Sequence, residues 1–284
     1  MTTLMSTHSL QMSAGHLPLF DHIELGIRAG DRLGLVGANG CGKSTLLTLL
    51  AGERTPQAGR IVQAAACRCE FVAQQLPARL STLSTRAVLF DALANDPAAE
   101  WQVDKLLAEL QLEAQAALPV SALSGGQHSR LQIGRALLRQ PNLLLLDEPS
   151  NHLDLPALLW LEQFLLGWRG AFVLVSHDGR LLDRVTEQTL ILRDGQLHRF
   201  ALPCSQARAM LAAEDEQARL RRADEQKEID RLSASSKRLA IWGRELTTRS
   251  WCARPSPWRN ASPACRRSRA RSRRWPLGGS SCAE

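Results

Sequence analysis

The sequence lacks tyrosine, long apolar runs and a leader-like start. None of its 284 residues is tyrosine. No run of about 18 apolar residues occurs, which is the length that a membrane-spanning helix requires, so we predict no membrane span. The N-terminal stretch has no basic region followed by an apolar region, which argues against a secretory leader. These absences predict a cytoplasmic protein with no membrane span of its own.

Excess charge is confined to the C-terminal end of the chain. The formal net charge is +7, from 35 basic and 28 acidic residues. Eight arginines and a single acid lie in residues 251–284, so basic and acidic residues are equal in number before that segment. The basic balance therefore does not indicate that the body of the chain binds nucleic acid. The 7 cysteines are scattered and odd in number, which is typical of reduced thiols in the cytosol.

Apolar runs alternate with helical periodicity through the middle of the chain. The runs suit strands in the centre of a parallel sheet that is covered on both faces. We predict strands at 31–37, 142–146 and 171–175, and helices at 44–50, 124–139, 156–166 and 179–185. Alternation of this kind predicts an α/β fold.

Two further stretches predict antiparallel pairing. Residues 23–31 alternate as an edge strand does, and residues 189–200 contain Asp194-Gly195, a typical hairpin turn. We therefore expect a small antiparallel sheet beside the parallel core.

A glycine-rich loop follows the first predicted strand. Its sequence, GANGCGKST, fits the phosphate-binding pattern G-x-x-x-x-G-K-[ST]. Glycines let backbone N–H groups turn toward phosphate oxygens, and the next helix presents its positive end to the same anion. Lys43 would reach the β- and γ-phosphates, and the Ser44 hydroxyl would reach Mg²⁺. The predicted ATP-binding residues of this loop are Gly37, Asn39, Gly40, Cys41, Gly42, Lys43, Ser44 and Thr45.

An acidic pair ends the second predicted strand. In LLLLDE, Asp147 is placed to hold Mg²⁺ through its water shell, and Glu148 is placed to polarise an attacking water. We predict Glu148 as the catalytic carboxylate and Asp147 as a metal-binding residue.

A second glycine-containing loop, LSGGQ, precedes the helix predicted at 124–139. It too would face a phosphate, although the first loop already fills that role. Two such domains facing each other would use both loops, with each ATP lying between them. The predicted residues, directed at the ATP of the facing domain, are Ser124, Gly125, Gly126 and Gln127.

Taken together, the motifs resemble those of the ABC ATPase family. LVGANGCGKST, LSGGQ, LLLLDEPSNHLD and VLVSHD match the family in order and spacing across roughly residues 13 to 200. The resemblance implies a P-loop ABC-type nucleotide-binding domain, in which a parallel core sheet with helices is joined by a small antiparallel β subdomain and a helical signature subdomain. It also implies ATP hydrolysis with Mg²⁺ as cofactor.

The resemblance implies roles for three further residues. Gln74 matches the glutamine that senses Mg²⁺, with Gln75 as an alternative register. His177 matches the switch histidine that contacts the γ-phosphate, and Asp154 matches the loop that crosses to the partner domain. Asp154 also has a local role, because it is placed to cap the helix that Pro156 helps to start.

One departure from the family concerns the adenine base. The family usually stacks adenine on an aromatic residue upstream of the phosphate loop. Ala14 falls near that position here, and His16 and Phe20 are the aromatic alternatives. The sequence therefore departs from the family's pattern at the position that would select the base.

The phrase PSNHLD resembles the ABC-F branch, whose members usually have threonine where this chain has Ser150. The charged stretch 214–244 resembles the start of the ABC-F inter-domain linker, which reaches toward tRNA on the ribosome. This resemblance implies a soluble ATPase that acts on the ribosome and translation. The alternative is the ATP-binding subunit of a membrane transporter, paired with a separate permease.

We interpret the chain as three segments. These are an ABC ATPase domain at 1–203, a charged helical linker at 204–246 and a basic tail at 247–284. Two interpretations of the tail remain open, a disordered nucleic-acid-binding segment and, as favoured, out-of-frame translation. Since the chain has one phosphate loop and one LSGGQ, it resembles the first half of a truncated ABC-F protein. Its expected partner is a second ABC ATPase domain, either the missing half or another copy, without which we expect little turnover.

Overall fold

The computed structural model describes residues 2–15, 17–74, 76–94, 96, 98, 100–151 and 153–251. The chain forms two units, Met1–Glu216 and Gln217–Glu284. Three sequence predictions lie outside the described residues, namely those for His16, for Gln75 and for the tail beyond residue 251.

A six-stranded sheet forms the centre of the first unit, in the order β5-β6-β7-β3-β8-β9. All of its pairings are parallel except β8 with β9. Its strands are β3 (Arg32–Gly37), β5 (Cys69–Val72), β6 (Leu143–Asp147), β7 (Ala171–Val175), β8 (Gln188–Arg193) and β9 (Gln196–Phe200). The predicted hairpin is confirmed, and it extends the core sheet.

A separate antiparallel sheet contains β1 (Thr3–Ala14), β2 (Leu17–Arg28) and β4 (Ala58–Gln63), with β1 in the middle. The strand predicted at 23–31 corresponds to β2, which begins six residues earlier. Sequence alternation alone missed this extension, because β2 continues wherever the irregular, bulged ladder with β1 supplies hydrogen-bond partners.

Helices cover both faces of the core sheet. They are α1 (Lys43–Leu50), α2 (Thr85–Ala92), α3 (Glu100–Glu109), α4 (Gly125–Leu137), α5 (Leu155–Gly167), α6 (Gly179–Val185) and α7 (Cys204–Trp251). Buried side chains of α1 pack between the two sheets, whereas those of α5 and α6 pack on the opposite face of the core sheet. A third cluster joins α2, α3 and α4 into a helical subdomain. The predicted α/β fold with its antiparallel and helical parts is confirmed.

The last helix, α7, begins where the charged linker was predicted to begin. Its first turn buries Cys204 and Ala207 in the core of the first unit. Within the second unit, residues 217–237 are exposed throughout, and the ion pairs Lys227 with Asp224 and Arg231 with Glu228 join neighbouring turns. Along the described residues no helix is sufficiently long and apolar to cross a membrane.

Candidate active site

The residues predicted to bind ATP, to bind Mg²⁺ and to catalyse hydrolysis lie together at the carboxyl ends of the parallel strands. The phosphate loop follows β3, Asp147 ends β6, and His177 follows β7. Because β6 and β7 pair directly and β7 pairs with β3, parallel topology brings these chain segments to one edge of the sheet. An open cleft of about 460 Å³ at this edge is lined by Asn39, Gly40, Gly42, Lys43, Ser44, Thr45, Glu148 and His177, together with Ala14 and Leu19.

The phosphate loop folds around the amine of Lys43. This side chain is buried, and its Nζ donates to the carbonyl oxygens of Gly37 and Ala38, each at 3.0 Å. Gly42 precedes α1 with φ of 104°, a conformation that side chains disfavour. The loop therefore holds an ammonium group beside the first turn of α1, an arrangement suited to a phosphate. Cys41, predicted with this loop, is half-buried and packs against the core, and does not line the cleft.

Asp147 has the environment of a cation ligand. The residue is 6% exposed, and its Oδ1 atom has no hydrogen-bond partner among the described residues. Burial raises the pKa of its carboxyl above the ordinary value, while a hydrogen bond from the Ser44 side chain opposes this shift. A buried carboxylate oxygen without a partner, beside a hydroxyl, fits a hard divalent cation such as Mg²⁺.

Glu148 is held by contacts from two neighbouring segments. Its backbone N–H donates to the Val175 carbonyl at 3.0 Å. Its Oε1 lies 3.0 Å from Nε2 of His177, and its Oε2 accepts a hydrogen bond from the side chain of Asn151. The carboxylate is mostly buried, yet it lines the cleft that contains the phosphate loop. An acceptor fixed in this place is suited to orient a water molecule.

On the side of the cleft formed by the small sheet, the described lining residues, Ala14 and Leu19, are not aromatic. Ala14, the residue near the predicted base position, is exposed there, and Leu19 lies beside it. Phe20 is only 1% exposed and packs against Gly42 from inside the protein. The suggestion that Phe20 replaces the stacking residue is therefore wrong, because its ring belongs to the core beneath the loop.

Gln74 lies two residues beyond the end of β5, at the same edge of the sheet. It lines an adjoining cavity of about 350 Å³, and Glu148 lines both this cavity and the cleft. The described contacts therefore bring Gln74 close to Glu148, although not into the phosphate cleft itself.

The buried side chain of Gln132 makes hydrogen bonds to the backbone on both sides of Gln74. With its amide nitrogen oriented toward Ala73, Gln132 of α4 donates to that carbonyl at 2.8 Å. Its amide oxygen then accepts from the Leu76 N–H at 3.1 Å. The helix that begins at LSGGQ thus holds the backbone on either side of Gln74.

The LSGGQ residues begin α4 and do not line the phosphate cleft of this chain. Ser124 and Gln127 form a capping box, in which each side chain accepts from the other's backbone N–H. Ser124 and Gly125 are exposed, as a contact with another domain requires. Gly126 is buried, and an added Cβ there would lie 2.6 Å from Cβ of Ala157. The absence of a side chain at Gly126 therefore allows α4 to pack closely against α5.

Asp154 occupies the predicted cap of α5. Its Oδ1 accepts from the Ala157 N–H at 3.1 Å, and Pro156 lies in the first turn. This local prediction is confirmed. Because Gly126 contacts Ala157, the capped turn lies directly beside the start of α4.

Sequence reasoning missed three residues of this region. Asn151 was considered only as part of the phrase PSNHLD, whereas its side chain contacts Glu148. Leu19 and Gln132 carried no motif, and only the tertiary packing gives them their positions. For Asn151 the available signal is its spacing, since it lies three residues after Glu148, the distance at which a β-turn closes.

Residues 20–151 match the family model described as ABC transporter. The chain contains an ABC ATPase domain. Members of this family hydrolyse ATP. The match includes the phosphate loop, LSGGQ and the Asp147-Glu148 pair, so the sequence resemblance is confirmed.

Curated relatives include an ABC transporter ATP-binding protein and a member of the ABC transporter F family. YfmR of Bacillus subtilis, described as an ABC transporter ATP-binding protein, is 33% identical over 235 residues, which are 70% of this chain and 37% of that protein. ABC transporter F family member 3 of Arabidopsis thaliana is 36% identical over 183 residues, covering 64% of this chain and 26% of that protein. The chain therefore spans between about a quarter and a little over a third of the length of these two relatives.

Solved structures of ABC proteins share the fold. One described as the ATP binding subunit of an ABC transporter has a TM-score of 0.63 and 21% sequence identity. The match covers 74% of this chain and 94% of that one. At this identity the likeness supports the ABC fold of the domain and carries no functional detail.

Proposed function

We propose that the chain binds Mg–ATP at the carboxyl edge of its core sheet and hydrolyses it to ADP and phosphate. The main support is that Glu148, whose two carboxylate oxygens are contacted by His177 and by the Asn151 amide, lines the same cleft as the phosphate loop. This arrangement supports an acceptor for the attacking water opposite a binding site for the nucleotide phosphates.

The groups in and beside the cleft have the following roles in this proposal. Lys43 and the loop N–H groups bind the phosphates, while Ser44, Asp147 and Gln74 would hold Mg²⁺. When bound, Mg²⁺ supplies charge neutralisation at the phosphates. Glu148 orients the water, and His177 contacts the γ-phosphate. Support for the cation comes from the buried, unpartnered oxygen of Asp147 within the described part of the chain.

A facing ABC domain completes the site in this proposal. Ser124 and Gly125 are exposed and lie outside the phosphate cleft, as expected of groups that serve an ATP bound elsewhere. Asp154, also exposed, would lie at the same interface. ATP would close two domains upon each other, and hydrolysis would let them separate. The second domain is another copy or the remainder of a longer protein.

For the intact protein we propose a cytoplasmic ABC-F ATPase that acts on the ribosome. The domain boundaries proposed from sequence, 1–203, 204–246 and 247–284, assign α7 to the charged linker of such a protein. Support comes from the exposed charges of α7 and from the ABC-F relatives. The alternative is the ATP-binding subunit of a membrane transporter.

The test of hydrolysis compares the wild-type chain with Glu148→Gln. Glutamine keeps the size of the side chain and removes the carboxylate, so we expect Mg–ATP affinity within about threefold and turnover reduced about 100-fold or more. Equilibrium binding with a fluorescent ATP analogue and phosphate release measure the two quantities. Glu24→Gln, the same change on exposed β2, is the control and should leave both unchanged.

Turnover that survives Glu148→Gln would remove Glu148 from the reaction. Sedimentation velocity of the Glu148→Gln chain with Mg–ATP examines the facing domain, because blocked hydrolysis should accumulate a dimer. If the chain stays monomeric at saturating ATP, the facing domain is not a second copy of this chain.

The proposal that the intact protein is an ABC-F ATPase is tested by ATP-dependent sedimentation with ribosomes. The Glu148→Gln chain should sediment with ribosomes in Mg–ATP, and a chain ending at residue 216 should bind less if α7 contributes. Equal sedimentation with ADP, or none with ATP, counts against a ribosomal partner for this chain.

A further inference from the structure

Asn151 contacts the carboxylate on which hydrolysis is proposed to depend. Its Nδ2 donates to Oε2 of Glu148, and its backbone N–H donates to the Glu148 carbonyl at 3.2 Å. Main chain and side chain of one residue thus close the turn from 148 to 151. The amide orientation follows from chemistry, because the amide oxygen would repel a carboxylate.

The backbone of Glu148 makes such a restraint necessary. Its φ is +51°, a left-handed conformation that residues other than glycine seldom adopt. Such a conformation persists when surrounding contacts over-determine it. Here Val175 holds the backbone, His177 contacts Oε1 and Asn151 holds Oε2. Only Asn151 makes a hydrogen bond to that second oxygen among the described residues.

We propose that Asn151 is a positioning residue for ATP hydrolysis, acting through Glu148. The inference rests on the proposed function, since it assigns a residue to the same reaction. By holding Oε2, the amide fixes the plane of the carboxylate with respect to the cleft. Asn151 thus links the phrase that suggested the ABC-F branch to the chemistry of the acidic pair.

The neighbouring Ser150 serves a different contact. Its hydroxyl lies 2.9 Å from the Ser176 hydroxyl, and Ser176 in turn accepts from the Asp178 N–H. Ser150 therefore joins the ends of β6 and β7 without a described hydrogen bond to Glu148. Ser150→Ala removes a side-chain hydrogen bond from the same turn, and so provides a matched control.

The test measures steady-state ATP turnover for Asn151→Ala and Asn151→Asp. Alanine removes the donor, whereas aspartate keeps the volume and places a second carboxylate beside Glu148. Loss of a hydrogen bond to a charged group predicts a decrease in kcat of about 10- to 100-fold, with KM for ATP within about twofold. Asn151→Asp should lose at least as much as Asn151→Ala. Ser150→Ala should stay within about threefold of wild type.

A double-variant cycle separates positioning from a general effect on folding. In the Glu148→Gln background, Asn151→Ala should change the residual turnover less than twofold, because its role acts through the carboxylate. Thermal unfolding and Mg–ATP binding of each variant establish that it folds. If Asn151→Ala does not fold, the isosteric Asn151→Asp carries the test.

Three outcomes overturn the inference. One is a kcat unchanged in both Asn151 variants, and another is full activity in Asn151→Asp alone, which would indicate that the side chain only fills space. The third is an equal loss from Asn151→Ala in the wild-type and Glu148→Gln backgrounds. Turnover of the wild-type chain separates failure of this inference from failure of the proposed function. If the wild-type chain does not hydrolyse ATP, the proposed function is wrong and the role of Asn151 is overturned with it.

Discussion

Gly126 and Ala157 bring the first turns of α4 and α5 into direct contact. A methyl group at residue 126 would lie 2.6 Å from Cβ of Ala157, far inside van der Waals contact. The start of the LSGGQ helix and the turn capped by Asp154 are therefore packed as one surface. Both segments are predicted to face a second domain, so their relative position is set before that domain arrives.

Gly126→Ala should destabilise the domain and reduce ATP-dependent association. Overpacking of this kind costs about 1–3 kcal/mol, since one of the two helices must move. Chemical denaturation measures the loss, and sedimentation with Mg–ATP in the Glu148→Gln background measures association. Ala157→Gly in the same chain should restore much of both by removing the opposing methyl group. Failure of that rescue would mean that the contact does not limit either property.

Asp147→Asn should stabilise the nucleotide-free fold while abolishing Mg²⁺-dependent turnover. Burial raises the pKa of Asp147, so the folded chain binds this proton more tightly than the unfolded chain does. Ionisation is therefore destabilising above the raised pKa, and the penalty is relieved as pH falls through it. The variant should have the higher Tm at pH 7, with a smaller difference at acidic pH.

Thermal unfolding without nucleotide, across that pH range, checks this expectation. Asp224→Asn, on exposed α7, should show no such trend. A lower Tm for Asp147→Asn at pH 7 would contradict the account of Asp147 as a buried carboxylate whose desolvation outweighs the hydrogen bond from Ser44.

Gln132→Leu should destabilise the domain by leaving two backbone groups without partners. The Ala73 carbonyl and the Leu76 N–H both bond to Gln132, and each hydrogen bond lost costs about 0.5–1.5 kcal/mol. We also expect weaker Mg²⁺ dependence of turnover, because Gln74 lies between the two released groups. Denaturant titration and a Mg²⁺ series of ATPase rates measure the two effects. Gln163→Leu, on the exposed face of α5, should change stability by no more than about 0.5 kcal/mol.

Ala14→Tyr should tighten ATP binding. Ala14 is exposed and lines the cleft near the predicted position of the base, where its described neighbour from the small sheet, Leu19, is also not aromatic. Aromatic stacking contributes about 0.5–1.5 kcal/mol, which corresponds to an affinity gain of roughly two- to tenfold. Titration with ATP and with inorganic triphosphate distinguishes the base from the phosphates, since only ATP should gain. Thr3→Tyr, at the other end of β1, should have no effect.

Much of the fold was accessible from local sequence patterns. The three buried strands and the hairpin were predicted within one or two residues, because continuous apolar runs and an Asp-Gly turn are local signals. In contrast β1 was missed and β2 was predicted too short. Their strand character depends on pairing between segments, with irregular register, and a single segment does not encode its partner.

The sequence by itself determined the chemistry of the proposed site. The phosphate loop, the Asp147-Glu148 pair and the cap by Asp154 each depend on residues close together in the chain, so spacing and residue type suffice to recognise them. Only the tertiary structure decided that Phe20 is buried, that Gln132 holds the Gln74 loop and that Gly126 contacts Ala157. It also decided the setting of Glu148, whose carboxylate meets both Asn151 and His177. These relationships follow from packing between elements far apart in the chain, where the physical constraint is the space that each leaves for the other.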